Sequence, residues 1–288
     1  MRGKKEKDLK ILLFLLFDHI GGLNTMLNAL SMGATLVIAD NFSAENICLS
    51  IEKYKVNVLP TTPSFLNLLL ISKEYEKFDL SSLKLITYGT ERMDENILKR
   101  LKNAFSKIKF IQTFGTSETG ILNANSKSST STYFNLNKDE YKIVNNELYI
   151  KSKTQFLGYL NATDNNEDGW FKTGDLVQVD ENGYIKVVGR NKELINVGGN
   201  KLLASEVESM ILQIPQIKDA LVYAEANALL GQNVACDVVC ELDKNEAKSI
   251  IRNFLKDKLA SYKIPSRINV VSKIDITSRF KKDRRLNS

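Results

Sequence analysis

Histidine is almost missing from this chain: there is one among 288 residues, His19, with three cysteines, one tryptophan and four prolines. Cys48, Cys236 and Cys240 make no even, closely spaced set, which argues against a disulfide framework and for a reduced, cytoplasmic setting. Cys236 and Cys240 stand four apart, but with His19 as the sole imidazole a zinc site lacks ligands. Long apolar runs are missing too. The run at 11–17 is far shorter than the ~20 residues needed to cross a bilayer. It follows a basic head, yet it ends at Asp18 and His19 without a small-residue cleavage pattern, so it reads as a buried strand rather than a targeting signal. Strong charge bias is also lacking. Forty Lys and Arg against 34 Asp and Glu give +6, which permits an anionic ligand without calling for nucleic acid or a membrane surface. No internal repeat occurs. The hydrophobic content of 43% is globular, and at roughly 150 residues per domain the chain has room for two.

What is present is alternation. A helix around 23–30 leads to the strand-like ATLVIA at 34–39, and Ser43 caps a helix carrying Ile47 and Ile51 before VNVL at 56–59. LKLITY at 83–88 precedes a helix with Ile97, Leu98, Leu101 and Phe105 on one face, and IKFIQTF follows at 108–114. Strands alternating with helices predict an α/β sheet with parallel neighbours, whose ligands sit at the carboxyl ends of the strands. The Ser/Thr-rich stretch at 126–135 reads as a polar loop, ELYIKS at 147–152 as a strand, and 177–189 as a hairpin turning through 180–183. Beyond Arg190 a compact α+β unit is expected. Ser205 and Glu208 form a candidate capping box, two strands (DALVYAE and CDVVCEL) follow, and a helix through Ala247, Ile250, Ile251, Phe254 and Leu255 precedes INVVSKI. The boundary falls near 189–191.

Three loops have the residue types for chemistry. TFGTSETG at 113–120 follows a strand. Gly115 and Gly120 let the backbone approach a ligand, Thr116 and Ser117 can donate to a phosphate, and Glu118 can hold a divalent cation. An ordinary capped turn explains the segment equally. FKTGDL at 171–176 places Asp175 after a glycine turn, where its carboxylate would accept from both hydroxyls of a ribose or simply satisfy local amides. By itself, the paired Gly198 and Gly199 say hinge or turn, and the C-terminal SRFKKDRRLNS says solvated basic end, with weak nucleic-acid attraction as a second reading.

Order and spacing bind these segments together. TFGTSETG, ELYIKS…LGYLN, GWFKTGDL, GYIKVVGRNKELINVGGNKLLASEVE, LASYKIP and ITSRFKKDRRL, in that order, resemble the adenylate-forming superfamily of acyl- and aryl-CoA synthetases, luciferases and peptide-synthetase adenylation domains. FDHIGG at 17–22 is most similar to the fatty-acyl and aryl synthetase side. The resemblance implies an α/β fold: the C-terminal part of the family's large domain over 1–189, then a mobile α+β domain over 190–288. It implies an AMP-forming acid–thiol ligase using ATP, Mg²⁺ and CoA or phosphopantetheine, with a small carboxylic acid as substrate, an acyl carrier protein as a candidate partner, and neither nucleic acid nor a membrane span. Residue by residue, it implies that Tyr88, Gly89 and Thr90 line the adenine pocket. Ser117 would lie at the α-phosphate, Glu118 at the magnesium ion, Asp175 on the ribose, and Arg190 near ribose and phosphate. His19 would border the acyl pocket and Asn191 would stand at the hinge, where relatives usually have Asp or Lys. Lys281 would bridge the carboxylate and α-phosphate during adenylation. Many relatives have Gly before that lysine. Phe280 stands there in this chain, which makes Lys282 a rival.

One family signature is not found: the Ser/Thr/Gly-rich phosphate loop ending in Pro-Lys, which lies upstream of the segment matching FDHIGG. The expectation is therefore the C-terminal portion of a synthetase, with a separate N-terminal half as a candidate partner. The competing expectation is an inactive fragment or partner module that retains part of a nucleotide site.

Overall fold

The computed structural model describes residues 8–160 and 166–284. The basic head, the last residue of LGYLN and the final residues of the tail lie outside the described residues.

The N-terminal part is a five-stranded sheet in the order β2-β1-β3-β4-β5, every neighbouring pair parallel. Its strands are β1 (Lys10–Leu12), β2 (Thr35–Val37), β3 (Val58–Thr61), β4 (Leu85–Tyr88) and β5 (Lys109–Gln112). The helices between them are α1 (Ile20–Met32), α2 (Ala44–Tyr54), α3 (Pro63–Ser72) and α4 (Glu95–Ala104). The caps explain where the helices begin. Ser43 Oγ accepts from the Asn46 amide at the start of α2, as the sequence predicts, and Thr62 and Asp94 cap α3 and α4 in the same way.

The run at 11–17 is shorter as a strand than its composition suggests. The strand stops at Leu12; Leu13 and Phe14 stay buried, and Phe17 is exposed. A turn between Leu16 and His19 redirects the chain into α1, where His19 Nδ1 accepts from the Gly21 amide. A side chain on Gly22 would meet the Leu16 carbonyl at 2.2 Å, so the turn requires glycine there.

A hairpin, β6 (Phe114–Thr116) and β7 (Gly120–Leu122), follows β5. A second sheet then runs β10-β11-β13-β14-β9-β8, with β12 paired to β13. It comprises β8 (Asn125–Ser126), β9 (Phe134–Asn135), β10 (Tyr141–Val144), β11 (Glu147–Ile150), β12 (Asn166–Glu167), β13 (Trp170–Val179) and β14 (Ile185–Arg190). The polar stretch at 126–135 has a structural task. Ser126 Oγ and Ser129 Oγ accept from the backbone amides of Gln112 and Phe110, at 2.9 and 2.8 Å, and so close the β5 edge of the parallel sheet.

The C-terminal α+β unit holds β15 (Leu194–Val197), β16 (Asn200–Leu203), α5 (Ala204–Ile211), β17 (Ile217–Asn227), β18 (Gly231–Cys240), α6 (Lys244–Leu255) and β19 (Arg267–Val270). Their sheet runs β16-β15-β18-β17, with β19 parallel to β18. The expected capping box at Ser205 and Glu208 is not formed. Leu203 occupies the cap position without a side-chain bond, and the true box is Asp243 with Glu246 on α6. Tertiary partners claim the other two side chains: Ser205 donates to the Val188 carbonyl, and Glu208 accepts from the Val222 amide at 2.9 Å. The unit rests on α4, where Ser209 Oγ donates to Asp94 at 2.5 Å and Arg100 donates to the Lys218 carbonyl at 3.0 Å.

Candidate active site

The carboxyl ends of β4 and β5 open onto a cavity of about 590 Å³, closed on its other sides by β14, α5 and the C-terminal tail. Thr90, Gln112, Gly115, Asp175, Arg190 and Lys281 all line it. These side chains come from five separate stretches of sequence, which the crossovers of the parallel sheet and the β13–β14 hairpin bring to one place.

Asp175 and Arg190 face each other across β13 and β14 in direct register, and Arg190 Nε lies 2.8 Å from Asp175 Oδ1. Asp175 is only 4% exposed. Burial pushes its carboxyl up from the usual range, and the Arg190 cation opposes that push. Asn191, the next residue, donates to Glu147 at 2.9 Å.

Lys281 projects from the tail into the same cavity, and its ammonium has no hydrogen-bond or ion-pair partner among the described residues. Burial lowers its pKa. Arg190, Arg279 and Lys192 lower it further, while Glu91 acts in the other direction. Its neighbour is spoken for: Lys282 Nζ lies 2.6 Å from Asp219 and 2.7 Å from the Ala220 carbonyl. Of the two lysines, only Lys281 offers an uncommitted charge to the cavity.

The remaining residues singled out in the sequence are placed less uniformly. Gly89 lines an adjoining cavity of about 210 Å³, together with His19, Asn24, Thr25, Asn28 and the apolar Ile11, Leu15, Val58 and Pro60. Burial lowers the His19 pKa, and the Lys281 and Arg279 cations add to the effect. Tyr88 is buried in the core of the parallel sheet and lines neither cavity, and burial pushes its hydroxyl pKa up. Thr116, Ser117 and Glu118 occupy the β6–β7 turn and do not line the larger cavity. The Thr116 hydroxyl accepts from the Thr119 amide, Ser117 is exposed, and Glu118 accepts from the Tyr159 hydroxyl at 2.9 Å. The hairpin closes tightly over Gly115, where a side chain would stand 2.4 Å from the Gly120 carbonyl.

Some site residues carried no role in the sequence reading. Glu91, next to Thr90 in the loop after β4, accepts from the Ser64 amide and hydroxyl at 3.1 and 2.8 Å and sits beside Lys281. Thr90 Oγ1, Gln112 Oε1 and both amide atoms of Asn67 are buried along the cavity without hydrogen-bond partners among the described residues. Buried polar atoms left unpaired are costly, and a polar ligand would satisfy them. Of these residues only Thr90 had a role in the sequence; Glu91 and Gln112 were signalled by their places at the ends of β4 and β5, and Asn67, within α3, by nothing.

The AMP-binding enzyme family model matches residues 2–160, more than half of the chain, and the AMP-binding enzyme C-terminal domain matches 206–281. The chain belongs to the AMP-binding enzyme family. Among its relatives are a probable CoA ligase from Humulus lupulus, 31% identical, covering 89% of this chain and 51% of the relative, and a 2-succinylbenzoate–CoA ligase from Staphylococcus aureus, 29% identical, covering 97% and 58%. The chain thus spans a little over half the length of these AMP-binding relatives. Solved adenylate-forming structures share the fold. An anthranilate CoA ligase in complex with anthranoyl-AMP has a TM-score of 0.81 at 20% identity, covering 98% of this chain and 59% of its own. An o-succinylbenzoate CoA synthetase from Bacillus subtilis, in complex with its acyl-adenylate intermediate, has a TM-score of 0.73 at 22% identity, covering 100% and 62%. Among the described residues, no helix is long and apolar enough to cross a membrane.

Proposed function

We propose that this chain carries the nucleotide site and mobile C-terminal domain, over 190–288, of an ATP-dependent acid–thiol ligase. In the first step a carboxylate oxygen attacks the α-phosphorus of ATP, the bond to the β-phosphate breaks, and pyrophosphate leaves. In the second a thiol, of CoA or of carrier-protein phosphopantetheine, attacks the acyl carbonyl and releases AMP. The observation that carries the reading is the meeting in one cavity of a buried carboxylate–guanidinium pair, unpartnered buried acceptors and a free lysine ammonium.

Two anions meet in the first step, so catalysis depends on positioning and on positive charge where negative charge develops. Lys281 supplies that charge from the tail and Arg190 from β14. Asp175 accepts from the ribose hydroxyls and Thr90 borders the base, whereas Thr116 and Ser117 stand in the β6–β7 turn outside this cavity and Gly89 lines the adjoining one. Glu118 suits a magnesium ion only in part. It is a hard oxygen donor, but the described residues hold no group of three or more His, Cys, Asp or Glu side chains able to bind a metal. That donor set matches an ion held mainly by nucleotide phosphates and one carboxylate. When bound, the ion neutralises charge on the departing pyrophosphate.

The organic part of the acid occupies the 210 Å³ cavity beside His19. Asn24, Thr25 and Asn28 make one wall polar, which favours a ring-sized acid with a polar substituent over a long alkyl chain.

The test is carboxylate-dependent exchange of pyrophosphate into ATP, measured with a panel of aryl and fatty acids. Exchange with at least one acid is expected, and no exchange with any would refute the reading in favour of an inactive module. Asp175→Asn is expected to weaken AMP binding by about tenfold, read by calorimetry, because a charged acceptor for the ribose is lost. An unchanged Kd would remove Asp175 from the nucleotide site.

A further inference from the structure

We infer that Phe280 is a positioning residue, the anchor that docks the tail on the parallel-sheet domain and so holds the Lys281 ammonium in the cavity. The inference rests on the ligase reading above. Phe280 has φ of 55°, in the left-handed region that bulky side chains seldom adopt. Such a conformation persists only where the surroundings over-determine it. Here they do. The Phe280 ring centroid lies 4.8 Å from that of Phe14, 5.5 Å from Phe42 and 6.1 Å from Phe65, in the tilted and edge-on geometries that aromatic pairs prefer. The Thr62 hydroxyl also donates to the Phe280 carbonyl at 2.7 Å.

The flanking residues divide by side. Before Phe280, Arg279 pairs with Asp18 of the parallel-sheet domain at 2.9 Å. After Lys281, the side chains of Lys282 and Arg284 pair with Asp219 and Glu208 of the C-terminal unit. The Lys282 backbone amide reaches back, to Glu91 at 3.4 Å. Lys281 therefore stands at the changeover, and its neighbours set its position. The Arg279–Asp18 pair is exposed and contributes little, so the ring of Phe280 is the main hold on the parallel-sheet side. A rotation of the C-terminal unit for thioester formation has to withdraw that ring, while Lys282 and Arg284 travel with their own unit. Phe280 thus biases the enzyme toward the arrangement that forms the adenylate.

The experiment compares the full chain with its Phe280→Ala and Phe280→Leu variants. Amide hydrogen exchange at Lys281 and Lys282 is expected to quicken by about tenfold or more in F280A, to stay near native in F280L, and to remain unchanged in α3 and β4. Adenylation by F280A is expected to fall about tenfold, while thioester formation from preformed acyl-adenylate holds within about twofold. Unchanged tail exchange in F280A, or an equal loss in both half-reactions, would overturn the inference. If the native chain activated no acid, the ligase reading would fall, and the exchange data would still decide whether Phe280 anchors the tail.

Discussion

Replacing Lys281 with alanine is expected to lower carboxylate-dependent pyrophosphate exchange by about 100- to 1,000-fold, the scale seen when one preorganised donor is removed from developing negative charge. The side chain reaches the cavity from the tail, lacks a partner among the described residues, and shares the space with the Asp175–Arg190 pair. AMP binding should change far less, because the ribose contacts remain. The proton on Lys281 gives a second signature. The ammonium must be charged to act, and its pKa is lowered, chiefly by burial and further by three neighbouring cations. Activity therefore falls as pH rises through that lowered value. The alkaline limb of kcat/KM should begin below the ordinary lysine pKa of about 10.4 and vanish from the residual activity of K281A. Lys282→Ala separates the two lysines. It breaks a pair within the C-terminal unit, so its main effect should be on stability. If K282A abolished exchange and K281A did not, the assignment would be reversed.

Arg284→Ala is expected to cost about 3–5 kcal/mol of stability, the range for removing one partner of a buried ion pair. Arg284 grips Glu208 with two bonds, Nη1 to Oε1 at 2.8 Å and Nη2 to Oε2 at 3.0 Å. Glu208 is 3% exposed, and its other hydrogen bond comes from the Val222 amide. At about 2–4 °C per kcal/mol for a protein of this size, the melting temperature should drop by roughly 6–20 °C. The pH dependence should change sign. Burial alone pushes Glu208 up, but Arg284 and then Lys282 outweigh it and hold the carboxyl at about 2. A depressed pKa contributes stability above the unfolded value of about 4.3 and loses it as pH falls toward 2. Without Arg284 the burial effect gains weight, the folded pKa rises, and acidification should recover part of the lost stability. Thermal melts of both proteins between about pH 3 and 7 would check this. Parallel losses on acidification in the two proteins would show that Glu208 is not the responsible group.

The parallel sheet and three of its four helices were legible because their signals are local; α3 (Pro63–Ser72), apolar almost throughout, was not read. Ser43 caps α2 from three residues away, and the apolar spacing of Ile97, Leu98 and Leu101 gives α4 its buried face. The loops after β4 and β5 were legible as site loops for a topological reason: parallel strands deliver their carboxyl ends to one side. The same local rules misled at Ser205 and Glu208, whose spacing suits a capping box but whose side chains answer to Val188, Val222 and Arg284.

By itself, the sequence determined the alternation of strands and helices, the order of the motifs and the residue types available for chemistry. Those depend on periodicity and spacing over a few residues. Only the tertiary structure decided which lysine stays uncommitted, that Arg190 faces Asp175, that serines in a polar loop close the β5 edge, and that Phe280 enters an aromatic cluster at the far end of the chain. Lys282 finds Asp219 across 63 residues and Thr62 finds Phe280 across 218. Burial and charge pairing act between surfaces that only folding brings together, and no pattern along the chain encodes such distances.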